Sequence, residues 1–99
     1  KIRQMLEQHA GDCFLWHALG LEYLKAGEPR QALQSFEEVL RLDAAYVGTY
    51  YHLAKTQALL GLRDEALHTC EQGIIQAGQA RDQHARNELQ QLEEDIQDQ

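Results

Sequence analysis

Histidine and cysteine are the side chains of this sequence best suited to binding a metal ion or moving a proton. The histidines form no HxxxH pair and no HExxH motif, although zinc sites need closely spaced ligands. We therefore expect no metal site and no metal cofactor. The residues concerned are five histidines and two cysteines: His9, His17, His52, His68, His84, Cys13 and Cys70.

The two cysteines favour structural roles. Cys13 and Cys70 lie far apart and form no CxxC motif, which argues against a disulfide framework and predicts a reducing, cytoplasmic location. Cys13 opens a predicted helix, where a thiolate can be stabilised, but a structural role is the favoured interpretation. Because the sequence contains no catalytic constellation and no glycine-rich phosphate loop, we expect that the protein is not an enzyme and has no cofactor.

The charge balance excludes several classes of partner. Sixteen acidic and nine basic residues leave a net charge of -7. A nucleic-acid-binding protein needs lysine and arginine to neutralise phosphates, and anionic membranes also attract basic segments. No apolar run approaches the roughly 18 residues of a membrane span. We therefore expect neither nucleic acid nor a membrane as a partner.

The spacing of apolar residues predicts helices throughout the chain. These residues recur at intervals of three and four, and glycines or a Gly-Glu-Pro sequence separate the runs. No segment alternates with the period of two that a strand needs. The predicted fold is all-α, with Asp12 as an N-cap and with six helices at 2–9, 13–26, 29–42, 47–60, 63–77 and 80–97.

An internal repeat appears when the sequence is shifted by 34 residues. Trp16 then falls on Tyr50, and Gly20 falls on Ala54. Glycine inside a helix costs about 1 kcal/mol relative to alanine. A small residue in both copies therefore predicts that a neighbouring helix comes close at this point.

The motif W-x2-L-G-x2-Y followed by A-x3-F resembles the tetratricopeptide repeat of small bacterial-type proteins. In the second copy Gln57 replaces the tyrosine and Cys70 replaces the phenylalanine. The resemblance implies an α-solenoid of antiparallel helix pairs, with repeats at 13–46 and 47–80. The first copy contains the whole motif as Trp16, Leu19, Gly20, Tyr23, Ala32 and Phe36.

The flanking segments are interpreted with the same register, as parts of one domain that covers 1–99. Segment 1–12 is an N-terminal helix that is similar to the second helix of a repeat. Segment 81–99 is a capping helix, and one added residue in the link around Gly78 brings Ala85, Leu89 and Leu92 to its buried face. The polar outer faces of both end helices fit a complete small protein. A fragment of a longer array is the alternative.

The resemblance also implies a concave groove lined by the first helix of each pair. Lys25, Lys55 and Arg86 would form a basic strip there, which favours an acidic segment or a C-terminal carboxylate as the ligand. The alternative is that these cations only cover apolar surface or pair with Glu22. The predicted groove residues are Phe14, His17, Leu21, Lys25, Tyr51, Lys55, Leu59, Arg86 and Gln90, with Gly48 at the same register.

The resemblance predicts a protein-interaction scaffold that binds a peptide or partner protein. Chaperone-binding members of the family hold a terminal carboxylate with a lysine-and-asparagine clamp. The matching positions here contain His17, Leu21 and His52, so we do not expect binding of chaperone tails. The alternative function is self-association through the surface around Met5, which would make the protein a homo-oligomer.

Overall fold

The computed structural model describes all 99 residues, Lys1–Gln99, and contains six helices and no strand. The all-α prediction is confirmed, and the third helix has the predicted bounds. The chain divides into two compact units, Lys1–Tyr46 and Val47–Gln99. The helices are α1 (Ile2–Gln8), α2 (Cys13–Lys25), α3 (Pro29–Leu42), α4 (Val47–Leu59), α5 (Arg63–Gln79) and α6 (Gln83–Gln97).

Local sequence signals set the helix ends. The Asp12 carboxylate accepts a hydrogen bond from the backbone N–H of Leu15 at 3.3 Å, so the predicted N-cap is confirmed. Pro29 occupies the first turn of α3, where no intrahelical donor is lost. Gly27 and Gly61 follow α2 and α4 with φ of +74° and +80°. Glycine adopts this left-handed conformation without steric cost, so it ends both helices.

In the first unit, α2 packs against both α1 and α3. Phe36 of α3 is completely buried, and its ring lies directly against Gly20. A Cβ atom added at Gly20 would lie 2.7 Å from Cδ1 and 2.8 Å from Cζ of that ring. The predicted close approach at Gly20 is therefore confirmed. The contact between α1 and α2 is made by Leu6, Leu15 and Leu19, with Ile2, Trp16 and Tyr23 packed around them.

In the second unit, α4, α5 and α6 all contact one another. Leu89 and Ile96 of α6 are buried, which confirms the predicted apolar stripe of this helix. A Cβ atom added at Gly73 of α5 would lie 2.6 Å from Cβ of Tyr50 and 2.8 Å from Cδ1 of Leu89. The three helices thus come close together at Gly73. A second cluster of buried residues consists of Ala54, Ala66, Cys70, Leu92 and Ile96.

The register of α6 differs from the sequence-based prediction. α6 begins 36 residues after α4, whereas α4 begins 34 residues after α2. The added length is in α5, which continues through Gly78 to Gln79 and has 17 residues where α3 has 14. The prediction of one added residue in the link is therefore wrong: α5 is three residues longer than α3 and the link after it is one residue shorter, which gives the net difference of two.

A buried hydrogen bond replaces part of the aromatic core in the second repeat. Thr69 Oγ1 donates to Gln57 Oε1 at 2.7 Å, and both residues are buried. Thr69→Val should lower the free energy of unfolding by about 1 to 2 kcal/mol, because it leaves the Gln57 oxygen without its donor. Urea denaturation measures this change.

The control for this hydrogen bond removes both polar groups together. Gln57→Leu combined with Thr69→Val should recover most of the lost stability, since no buried acceptor is then left unpaired. A single Thr69→Val variant as stable as the parent would contradict the structural role of the hydrogen bond.

Candidate functional site

Four of the predicted groove residues lie in the first unit and share one face of α2. Their spacing of three, four and four residues places them in a row along the helix. Phe14 at one end is 66% exposed, and Lys25 at the other end is also exposed. Leu21 is half-buried, and the His17 ring lies 5.7 Å from the rings of both Phe36 and Tyr46. We call this row the α2 stripe: Phe14, His17, Leu21 and Lys25.

The second unit presents an equivalent row on α4, which we call the α4 stripe: Tyr51, Lys55 and Leu59. Leu59 is 70% exposed. The Lys55 ammonium lies 5.6 Å from the centre of the Tyr51 ring, within cation–π range. The Tyr51 ring also meets the His52 ring edge to face, with centroids 5.5 Å apart. The α4 stripe therefore offers an apolar surface and one positive charge side by side.

The side of α6 that faces α4 carries a carboxylate. Tyr51 packs against the buried cluster that contains Leu92, and Glu88 lies one helical turn before Leu92 on the same side. His52 is affected by charges from both helices. Burial lowers the pKa of His52 most, and the Lys55 charge lowers it further. The Glu88 charge acts in the opposite direction and raises this pKa. Glu88 therefore belongs to the surroundings of the α4 stripe, although the sequence did not single it out.

Arg86 and Gln90 are exposed but lie on a different side of α6. At the observed offset of 36 residues, they correspond to Tyr50 and Ala54, which α4 turns towards its own core. Arg86 precedes Glu88 by two residues, which is about 200° around the helix. The structure therefore does not place Arg86 and Gln90 on the side of α6 that lies beside the α4 stripe. The predicted offset of 35 residues instead aligned Arg86 with Tyr51 and Gln90 with Lys55, and one residue corresponds to about 100° around a helix.

The thiols have the surroundings of structural cysteines. Cys70 is completely buried, and burial raises the pKa of its thiol to about 11. Burial also raises the pKa of Cys13, and the charges of Asp43 and Asp12 act in the same direction. The Cys13 thiol donates to the carbonyl oxygen of Val39 at 3.7 Å. Neither thiol has the lowered pKa that a thiolate nucleophile needs.

The six helices form neither a metal-binding cluster nor a membrane span. No group of three or more histidine, cysteine, aspartate or glutamate side chains is arranged to hold a metal ion. None of the helices combines the length and the apolar character needed to cross a bilayer.

The fold and the sequence are both similar to those of proteins that contain several copies of the same helical repeat. A crystal structure of a tetratricopeptide repeat domain protein from Salinibacter ruber is similar, with a TM-score of 0.83 and 40% identity over 87% of this chain and 96% of that one. A protein from Bordetella parapertussis has a TM-score of 0.82 and 27% identity, over 96% of this chain and 83% of that one.

A more distant structure shares the fold alone. The yeast Sti1 TPR2B domain in complex with pHsp70 has a TM-score of 0.92 at 15% identity, over 98% of this chain and 78% of that one. No curated protein matches the chain significantly.

The sequence profile of the family described as Tetratricopeptide repeat matches residues 23–92. This repeat generally mediates protein–protein interaction, and proteins built from it are generally non-enzymatic scaffolds. The matched residues cover most of the chain, and the Salinibacter ruber relative extends the likeness beyond them at substantial identity. The chain therefore belongs to the tetratricopeptide repeat family.

Proposed function

We propose that this protein is an interaction module that binds a peptide or a segment of a partner protein through the α4 stripe of its second unit, and that the α2 stripe of the first unit is a separate surface of the same kind. One observation carries the proposal: two of the four large hydrophobic residues with high exposure, Phe14 and Leu59, lie on these stripes. Exposed apolar side chains that are grouped with a few polar ones are typical of binding surfaces. Each stripe adds a lysine, Lys25 or Lys55, to its exposed hydrophobic residue.

The chemistry of the stripes favours a segment that contains apolar and acidic residues. Leu59 and the Tyr51 ring can hold apolar side chains, and the Lys55 ammonium can pair with a carboxylate. The yeast Sti1 domain was solved as a complex with pHsp70, which supports a protein or peptide partner in general. The clamp positions here contain His17, Leu21 and His52, so the proposed segment is not a chaperone tail.

Selection from a random dodecapeptide library displayed on phage tests this proposal. The parent chain should enrich specific peptides, and Lys55→Glu combined with Leu59→Ser should lose most of that enrichment because the α4 stripe loses its charge and its exposed apolar group. The matched control is Arg86→Glu combined with Ile75→Ser. Arg86 lies on the other side of α6, and Ile75 is an exposed aliphatic residue of α5 at 50%. This control should leave the enrichment unchanged.

Two results would contradict the proposal. One is a parent chain that enriches no peptide above background. The other is an equal loss for the α4-stripe variant and for the control variant, since binding would then not depend on the stripe. Circular dichroism should show the same helix content in all three proteins.

Self-association is the second candidate function, and one observation favours it. Met5 of α1 is 44% exposed on a helix of only seven residues. Size-exclusion chromatography with light scattering measures the mass in solution. A dimer that Met5→Glu dissociates would support this candidate, and a monomer at all concentrations would exclude it.

A further inference from the structure

We infer that the partner segment presents basic residues to α6 as well as acidic residues to α4, in an extended strand with alternating charge. This inference rests on the proposed function, because it describes the ligand of the same surface. It depends on three features of the second unit: the charge along one edge of α6, the position of that edge beside the α4 stripe, and the geometry of an extended peptide.

The first feature is a row of side chains that we call the α6 edge: His84, Glu88, Gln91 and Asp95. Their spacing of four, three and four residues places them on one side of the helix. His84 Nε2 lies 3.5 Å from Glu88 Oε2, and Gln91 Nε2 donates to Asp95 Oδ1 at 3.0 Å. All four side chains are exposed. The α6 edge thus carries two carboxylates and neither lysine nor arginine.

The second feature is the position of this edge beside α4. Glu88 lies one turn before Leu92, and Leu92 belongs to the buried cluster against which Tyr51 packs. The charges of Lys55 and Glu88 both act on the pKa of His52, and the His52 ring contacts the Tyr51 ring on α4. A segment that covers Tyr51 therefore meets a positive charge from α4 and a negative charge from α6.

The third feature concerns what such a segment must supply. A purely acidic segment would be repelled by Glu88 and Asp95, and a purely basic one would be repelled by Lys55. In an extended strand, successive side chains point to opposite sides. Acidic residues that alternate with basic residues would therefore direct one sign to each helix. Charge complementarity selects this occupant over a segment of a single sign.

The charge composition of selected peptides tests the inference, with the random dodecapeptide phage library as the reagent. The parent chain should enrich peptides that contain both acidic and basic residues. Glu88→Lys should shift the selected peptides towards acidic residues, and Lys55→Glu should shift them towards basic residues. A peptide selected by the parent should bind the Glu88→Lys variant about 10-fold more weakly, because an exposed attraction becomes a repulsion.

Glu94→Lys is the matched control for Glu88→Lys. Glu94 is an exposed glutamate of the same helix, six residues on and about 240° around it. This control should leave the selected peptides and their affinity unchanged.

Two results would overturn the inference while the proposed function stands: enriched peptides that lack basic residues, or a Glu88→Lys selection identical to that of the parent. Enrichment of no peptide by the parent would overturn the inference and the proposed function together. Affinity for the alternating peptides should fall as salt is raised, because exposed charges are screened.

Discussion

Gly20→Leu should lower the free energy of unfolding by about 3 kcal/mol, at the upper end of the usual cost of overpacking. The reason is the Phe36 ring, which lies where even the first carbon of a new side chain would be placed. Phe36 is completely buried, so its ring can make room only by displacing other core side chains or by opening the core to solvent. Urea denaturation of the parent and the variant measures the difference.

Gly20→Ala separates the two effects that act at this site. Helix propensity alone would make alanine more stabilising than glycine by about 1 kcal/mol. We expect a net loss of about 1 kcal/mol instead, because the overlap with Phe36 outweighs the gain in propensity. Gly48→Ala is the control, since Gly48 is a helical glycine with no atom within 4 Å of an added Cβ. This control should not destabilise the protein.

A change in Phe36 provides the decisive comparison for Gly20. In a Phe36→Cys background, Gly20→Ala should become neutral or stabilising, because the ring that it overlaps has been removed. This pair of changes copies the second repeat, where Ala54 and Cys70 are both completely buried. A Gly20→Ala penalty of the same size in both backgrounds would show that Phe36 is not its cause.

Gly73→Val should destabilise the protein by about 3 kcal/mol or more. The first repeat has valine at the corresponding position, Val39, so the sequence alone would not predict this loss. Cβ of the new side chain would lie 2.6 Å from Cβ of Tyr50, an atom that moves only if the backbone of α4 moves. Leu89 of α6 limits the space on the other side. The change should therefore loosen both contacts of α5.

Gly78→Ala is the matched control for Gly73→Val, because both glycines lie in α5 and nothing lies within 4 Å of a Cβ added at Gly78. This control should raise the stability by up to about 1 kcal/mol through helix propensity. The two variants should thus shift the midpoint of urea denaturation in opposite directions. Equal shifts would contradict the close approach at Gly73.

The importance of Gly20 was visible in the sequence, whereas that of Gly73 was not. Gly20 aligns with Ala54 in the second repeat, so two copies of the motif both show a small residue. Gly73 aligns with Val39, and the disagreement between the copies hides the requirement. Only the contact with Tyr50 and Leu89 shows that α4, α5 and α6 need glycine there.

The candidate site could likewise be predicted only where the two repeats share one register. The rows on α2 and α4 follow from the period of 34 residues, which places Phe14, Lys25, Lys55 and Leu59 on the corresponding faces of two helices. The period ends with α5. It therefore does not give the alignment of α6 with α4, on which the places of Arg86 and Glu88 relative to the α4 stripe depend.

The sequence by itself determined the family, the helix order, most helix bounds and the buried stripe of every repeat helix. These properties depend on side chains that recur with a fixed period, and the period is visible in the sequence alone. The tertiary structure decided how α6 aligns with α4, the meeting of three helices at Gly73 and the presence of Glu88 in the surroundings of the α4 stripe. The physical reason is helical geometry: successive residues lie about 100° apart around a helix, so a shift of one residue in the alignment of α6 with α4 changes which side chain is expected beside the α4 stripe.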